Sequence, residues 1–191
     1  MSDTNLVRRL TTIIAIDVVA FSTMSARDEE HALALLGARM DMAGTLIRHH
    51  RGRVFKLTGD GLLAEFASPV EAVRAALEIQ EAMRSANATA SENDQLNVRI
   101  GINLGDVLVE DDDIQGEGVN IAARLESLAE PGGVTISGTA YDHVEKRLDL
   151  GFAFEGEQTV KNIAKPIRVY RVLAGPESAG KTINAVPRKT R

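Results

Sequence analysis

Two aspartates occupy surroundings that make an ionised side chain expensive. Asp17 interrupts residues 10–19, L-T-T-I-I-A-I-D-V-V, a β-branched run of strand type. A carboxylate there costs free energy unless it is paired, bound to a metal or set at the strand's exposed end. Asp60 stands between Gly59 and Gly61 in residues 52–66, G-R-V-F-K-L-T-G-D-G-L-L-A-E-F. The apolar runs on either side make this a hairpin signal, with the carboxylate at the tip, either satisfying its own turn or open to a ligand. Lys56 puts a cation into one of those runs; strict alternation groups Val54, Lys56 and Thr58 on one face and Phe55 and Leu57 on the other. Arg99 interrupts a third strand-type segment, and Asn120 and Arg124, four apart in a helical pattern, are aimed the same way. Carboxylate oxygens suit a hard divalent cation, and scattered arginine and lysine are what a polyphosphate would require. Each residue also has a plainer reading, as a turn aspartate or a snorkelling edge cation.

The elements that must position these groups follow from periodicity and caps. After the first strand, Ser25 with Asp28 resembles a capping box, and Leu36, Met40, Ala43 and Ile47 follow at helical spacing. His49 and His50 close this helix, where cations favour the C-terminus and solvated capping is expected rather than metal ligation. Ser68-Pro69-Val70-Glu71 starts a second helix, with Val73, Ala76, Leu77 and Met83 on its core face. Residues 96–109 read as a strand pair bent at Gly101 and Gly105. Residues 110–113 form an acidic run of solvated-turn type, and 116–128 a helix with Ile121, Ala122, Leu125 and Leu128 inward. A strand at 134–137, a helix at 139–147 and a closing strand pair at 148–154 and 166–173 complete the order. This predicts an α+β fold: a ferredoxin-like βαββαβ core with extra C-terminal α/β elements, mostly antiparallel, with helices packed on one face. One domain is expected over residues 1–174 and a flexible C-terminal tail over 175–191.

The composition sets outer bounds. A chain of 191 residues with 44% hydrophobic and 26% charged residues buries a sizeable core. With no cysteine and four histidines, a metal would be held by oxygen or imidazole, and disulfides are excluded. A formal charge of −5 argues against nucleic acid or an anionic membrane as the main partner. No stretch approaches the about 18 apolar residues of a membrane span, and the polar start is unlike a secretory signal, so a cytoplasmic location is expected. Residues 175–182, G-P-E-S-A-G-K-T, fit a P-loop string. A P-loop needs a following helix aimed at the phosphates, and the nine remaining residues include Pro187, so the fit is read as accidental.

Four blocks together resemble the catalytic domains of class III adenylate and guanylate cyclases, particularly the bacterial kind. They are residues 13–22 (I-I-A-I-D-V-V-A-F-S), 52–66, 98–109 (V-R-I-G-I-N-L-G-D-V-L-V) and 113–125 (D-I-Q-G-E-G-V-N-I-A-A-R-L). Residues 156–170 match the closing strands, so the likeness spans about residues 10–173.

The resemblance implies that Asp17 and Asp60, with the carbonyl of Val18, hold two divalent cations per site, Mg2+ or Mn2+. Ala20, Phe21 and Ser22 would approach the triphosphate of ATP through their backbone; Ala20 stands where the family usually has Gly. Lys56 and Asp113 match the base-reading residues of adenylate rather than guanylate cyclases, Asn120 the ribose-orienting residue, Arg124 the transition-state arginine, and Arg99 and Lys161 the triphosphate cations. Because the family assembles each site across two catalytic domains, a chain carrying both sets implies a homodimer. The implied reaction is conversion of ATP to 3′,5′-cyclic AMP and pyrophosphate. The alternatives are a guanylate or mixed-specificity cyclase and a silent nucleotide-binding regulatory domain of the same fold. A regulatory domain or protein partner is also implied, since family members commonly carry sensor domains.

Overall fold

The structure, a computed structural model, describes residues 6–175 and 178–184. In chain order it forms β1 (Val7–Val18), α1 (Phe21–Arg27), α2 (Glu29–His49), β2 (Arg53–Thr58), β3 (Gly61–Phe66), α3 (Pro69–Ala88), β4 (Val98–Glu110), β5 (Asp113–Gln115), α4 (Glu117–Leu128), β6 (Val134–Ser137), α5 (Gly138–Val144), β7 (Gly151–Gln158), β8 (Ile167–Leu173) and β9 (Thr182–Asn184). The strands make one sheet ordered β2-β3-β1-β4-β6-β8-β7-β9, with β5 beside β4. The first four strands are antiparallel neighbours in the order expected of a βαββαβ core. The β4–β6 and β7–β9 pairs are parallel, so the sheet is mixed.

Alternation along β1 divides the molecule. Ile14, Ile16 and Val18 pack with Leu36, Ala43 and Ile47 of α2 and with Ala72, Ala76, Ile79 and Met83 of α3. Ile13 and Ala15 point the other way and pack with Val119 and Ala122 of α4, Val107 and Ile114. Each large aliphatic side chain buried this way contributes about 1.5–3 kcal/mol. Helices therefore cover both faces, which corrects the expectation of one. The physical reason is the unbroken apolar run at 13–16, which leaves neither face of β1 polar enough for water.

Glycines set how closely these layers meet. A Cβ on Gly101 would lie 2.1 Å from the Glu126 amide nitrogen, and one on Gly118 would lie 2.6 Å from the Asp106 carbonyl oxygen. Bare backbone at these points lets α4 lie directly on β4. Gly101 and Gly105 therefore do not bend a strand pair: β4 is one 13-residue strand. In the hairpin, a Cβ on Gly61 would lie 1.9 Å from the Ile16 carbonyl oxygen, while one on Gly59 meets nothing within 4 Å. Gly61 is the member of the pair that the packing requires.

Other expectations shift locally. Asp28, in extended conformation, separates α1 from α2 and accepts from the His31 amide at 3.0 Å, so it is the cap in place of Ser25. Ser68 caps α3 as expected. A bulge between Val54 and Lys56 breaks alternation in β2: Val54 pairs with Ala64 and Lys56 with Leu63. Those partners lie on opposite faces, so Lys56 joins Phe55 on the α4 face. The segment expected to be a flexible tail is docked over its described part: β9 runs beside β7, the Phe152 amide donates to the Lys181 carbonyl, and the Gly180 amide donates to that of Leu150. Thr182 begins a strand rather than a helix, unlike a P-loop; residues 185–191 lie outside the described residues.

His50 is clamped between helices rather than solvated. Its Nδ1 lies 2.9 Å from a Glu71 carboxylate oxygen, and its Nε2 lies 2.5 Å from one of Glu78. Burial alone pulls its pKa down, but the bonds to Glu78 and Glu71 outweigh that and leave it raised. A raised folded-state pKa stabilises the fold below the ordinary histidine value and loses that contribution as pH rises through the folded value. His50→Gln is therefore expected to lower the urea midpoint more at pH 6 than at pH 8.5; equal losses would remove the clamp from the account. Gly101→Ala is expected to cost about 1–3 kcal/mol or more by overpacking, and Gly59→Ala less than about 0.5 kcal/mol. Similar costs in the same denaturation assay would contradict the close α4–β4 contact.

Candidate active site

Asp17 lies next to last in β1, on the α4 face, in register with Gly61 on one side and Arg99 on the other. The Val18 amide donates to the Asp60 carbonyl at 3.1 Å, fastening the hairpin turn to the end of β1. This brings the Asp60 carboxyl within hydrogen-bonding reach of Asp17. Arg99 faces Asp17 and Glu126: its Nη2 is 3.5 Å from Asp17 Oδ2, and its Nε is 3.4 Å from Glu126 Oε1. One guanidinium thus stands among three carboxyl groups.

The electrostatics follow from that excess. Burial, then the neighbouring Asp60 carboxyl, raises the Asp17 pKa to about 6, with Arg99 opposing. Burial, then Asp17, raises that of Glu126 to about 7 against the same arginine. Two part-buried aspartates in contact repel when both ionise, and a divalent cation between them would relieve the repulsion. The donor set, all hard oxygen, fits Mg2+ or Mn2+.

Beside this cluster the chain enters α1 through Ala20, a non-glycine residue in left-handed conformation at φ 56° and ψ 31°. The strain is on the order of 1–2 kcal/mol, and it turns the first amides of α1, including those of Phe21 and Ser22, out of the strand direction. Phe21 packs on the core at its edge, and Ser22 is exposed.

The remaining expected residues lie on other elements. Lys56 is exposed on the edge strand β2. Asp113 is exposed at the start of β5, its carboxylate accepting from the Ile114 amide at 3.0 Å. Arg53 links the two strands, its Nη1 3.4 Å from the Asp112 carbonyl. Asn120 and Arg124 project from the solvent side of α4, opposite Ala122 and Leu125, which face the sheet. Lys161 is exposed in the β7–β8 connection, apart from the acidic cluster. The chain therefore unites Asp17, Asp60 and Arg99, and leaves Lys56, Asp113, Asn120, Arg124 and Lys161 outside that cluster.

Two residues escaped the sequence reading. Glu126 follows buried Ala122 by one helical turn, a spacing that aims a carboxylate at the sheet. Gln80, 3% exposed on α3, donates to the carbonyls of Val98 and Gly133 and holds the start of β4 next to Arg99. A lone glutamine in a helix otherwise core-facing at its spacing was the available signal.

Residues 8–174 match the family model described as the adenylate and guanylate cyclase catalytic domain, and the chain belongs to this family. It is 45% identical over 171 residues to "Putative adenylate cyclase 3" of Rhizobium meliloti, a match covering 89% of this chain and 29% of that protein. The chain thus spans less than a third of that relative's length. Among solved structures, an adenylate/guanylate cyclase/hydrolase from Silicibacter pomeroyi superimposes with TM-score 0.82 at 38% identity, covering 90% of this chain and 100% of that one. The guanylyl cyclase Cya2 gives TM-score 0.77 at 25% identity, covering 91% and 97%. Among the described residues no helix is long and apolar enough to cross a membrane.

A raised Asp17 pKa costs stability above about pH 6, and the cost disappears as pH falls toward the ordinary carboxylate value. Without divalent cations, Asp17→Asn is expected to melt higher than wild type at pH 8, with the gain vanishing near pH 4. Mn2+ is expected to reverse the order at pH 8, because binding to the folded state adds about 2.7 kcal/mol at a hundredfold excess over Kd. Equal Mn2+ shifts in both proteins, read by thermal melting, would contradict a cation at Asp17.

Proposed function

We propose that the chain is an adenylate cyclase domain that converts ATP to 3′,5′-cyclic AMP and pyrophosphate at sites shared by two copies. The observation that carries this reading is the Asp17 carboxyl at the end of β1, beside Arg99 and next to the Asp60 turn that the Val18 amide holds. Membership of the cyclase family supports it.

Asp17, Asp60 and the Val18 carbonyl would hold two divalent cations, which when bound lower the pKa of the ribose 3′ hydroxyl and neutralise charge on the leaving group. Arg99 then faces the polyphosphate, with the first amides of α1, at Phe21 and Ser22, as further donors. Lys161 is the second polyphosphate cation of this reading. Asn120 orients the ribose so that its hydroxyl lies in line with the leaving oxygen. Arg124 donates charge-assisted hydrogen bonds to the α-phosphate as negative charge shifts, an effect worth on the order of 10³ in comparable phosphoryl transfers.

Base choice follows from donor and acceptor polarity. Lys56 donates to adenine N1, and Asp113 accepts from its exocyclic amine. Guanine reverses both roles, so each group would face a like partner.

The direction of α4 supports the reading that a second copy takes part. Its inner side is spent on β1 and β4, so Asn120 and Arg124 face away from the Asp17 carboxyl of their own chain. The same side groups of a second copy, facing the open sheet surface over β2 and β3, would complete the site.

Incubating the protein with ATP and Mn2+ is expected to yield cyclic AMP and pyrophosphate in equal amounts, faster than the corresponding products from GTP. Lys56→Glu is expected to reduce the ATP-to-GTP ratio of kcat/KM by about tenfold or more. Release of inorganic phosphate with no cyclic product would overturn the reading, and an unchanged ratio would remove Lys56 from base recognition.

A further inference from the structure

Arg99 has two carboxyl neighbours with different duties. Asp17 meets it through Nη2 at 3.5 Å and Glu126 through Nε at 3.4 Å. Nε of Arg99 and Oε1 of Glu126 are both enclosed, and neither makes a hydrogen bond. Enclosed polar atoms that lie 3.4 Å apart but are not aligned to hydrogen-bond leave their desolvation cost unrecovered. A small movement of the guanidinium away from Asp17 would give both a partner.

Glu126 is the fixed member of this pair. Its amide nitrogen rests against Gly101, two residues along β4 from Arg99 on the same face, where no Cβ fits. Its side chain is 13% exposed, against 31% for that of Arg99. The backbone contact sets the height of the carboxylate over β4, and Arg99 has the freedom to move.

We propose that Glu126 is a positioning residue for Arg99: it takes hold of Nε and presents the two terminal nitrogens to the polyphosphate of the substrate. In the free chain Asp17 competes for the same guanidinium. Once a cation neutralises Asp17, that pull is gone and Arg99 settles on Glu126. Holding an arginine by Nε leaves its Nη1 and Nη2 fork open for bidentate recognition of an anion. This inference rests on the reading of Arg99 as a polyphosphate cation, and the two fail differently.

The test is calorimetric binding of inorganic tripolyphosphate with Mn2+, together with cyclase kinetics, for wild type, Glu126→Gln, Glu126→Asp, Arg99→Ala and the double variant Arg99→Ala with Glu126→Gln. Glu126→Gln keeps the shape of the side chain, and its fold is checked by circular dichroism. Tripolyphosphate affinity and ATP KM are expected to weaken by about tenfold in Glu126→Gln, with kcat changed by less than about threefold. Glu126→Asp is expected to recover part of the loss. In the Arg99→Ala background Glu126→Gln is expected to have no further effect, since the group it positions is gone.

If Arg99→Ala weakens binding but Glu126→Gln binds as wild type, or if the two losses add, the positioning role is overturned while the reading of Arg99 stands. If Arg99→Ala binds tripolyphosphate as wild type does, the reading of Arg99 fails and the inference falls with it.

Discussion

The meeting of like charges at the end of β1 constrains everything around it. Asp17 and Asp60 are neighbours at the hairpin turn, Glu126 adds a third carboxyl, and Arg99 stands between Asp17 and Glu126. Left to themselves, like charges would separate. The fold opposes separation by tying the Val18 amide to the Asp60 carbonyl, and the bare backbone of Gly61 lets β3 lie directly against Ile16 of β1. Packing of the hydrophobic layers thus sustains an electrostatic imbalance that a divalent cation would correct.

The same constraint bears on the proposed division of the site between two copies. Asp17, Arg99 and Lys56 all lie on the α4 side of the sheet, yet α4 covers only its middle. Over β2 and β3 the surface stays open, with Arg9 and Arg53 gathered around Glu65 and Lys56 beyond them. Asn120 and Arg124 lie on the outer side of α4, away from the sheet. On the proposed reading each copy supplies one half of a site, and that reading predicts association.

Much of this was legible in the sequence because local signals agreed. The capping of α3 by Ser68, the Asp60 hairpin and the order of the first four strands follow from turn chemistry and periodicity. What was misread depended on contacts between distant residues. Gly101 looked like a bend because only the approach of α4 reveals its purpose. The bulge at Val54 and Lys56 reverses the face of Lys56 with no composition signal, since both registers leave an apolar residue inward. Helices on two faces were implied by the unbroken run at 13–16, which alternation alone does not resolve. In the site, the types of Asp17 and Asp60 were visible, but their contact was not, and Glu126 passed for an ordinary surface glutamate on an amphipathic helix.

The central claim is that the acidic cluster of one copy works on a nucleotide held by Asn120 and Arg124 of another. Mixing two inactive variants, Asp60→Ala and Arg124→Ala, after mass spectrometry has established subunit exchange, measures it directly. Each mixed dimer would contain one site with both defects and one with neither, so cyclic AMP production is expected to return to about a quarter of the wild-type rate for equal, random mixing. Exchange without any recovery of activity would contradict the shared site, and so would full activity of either variant alone.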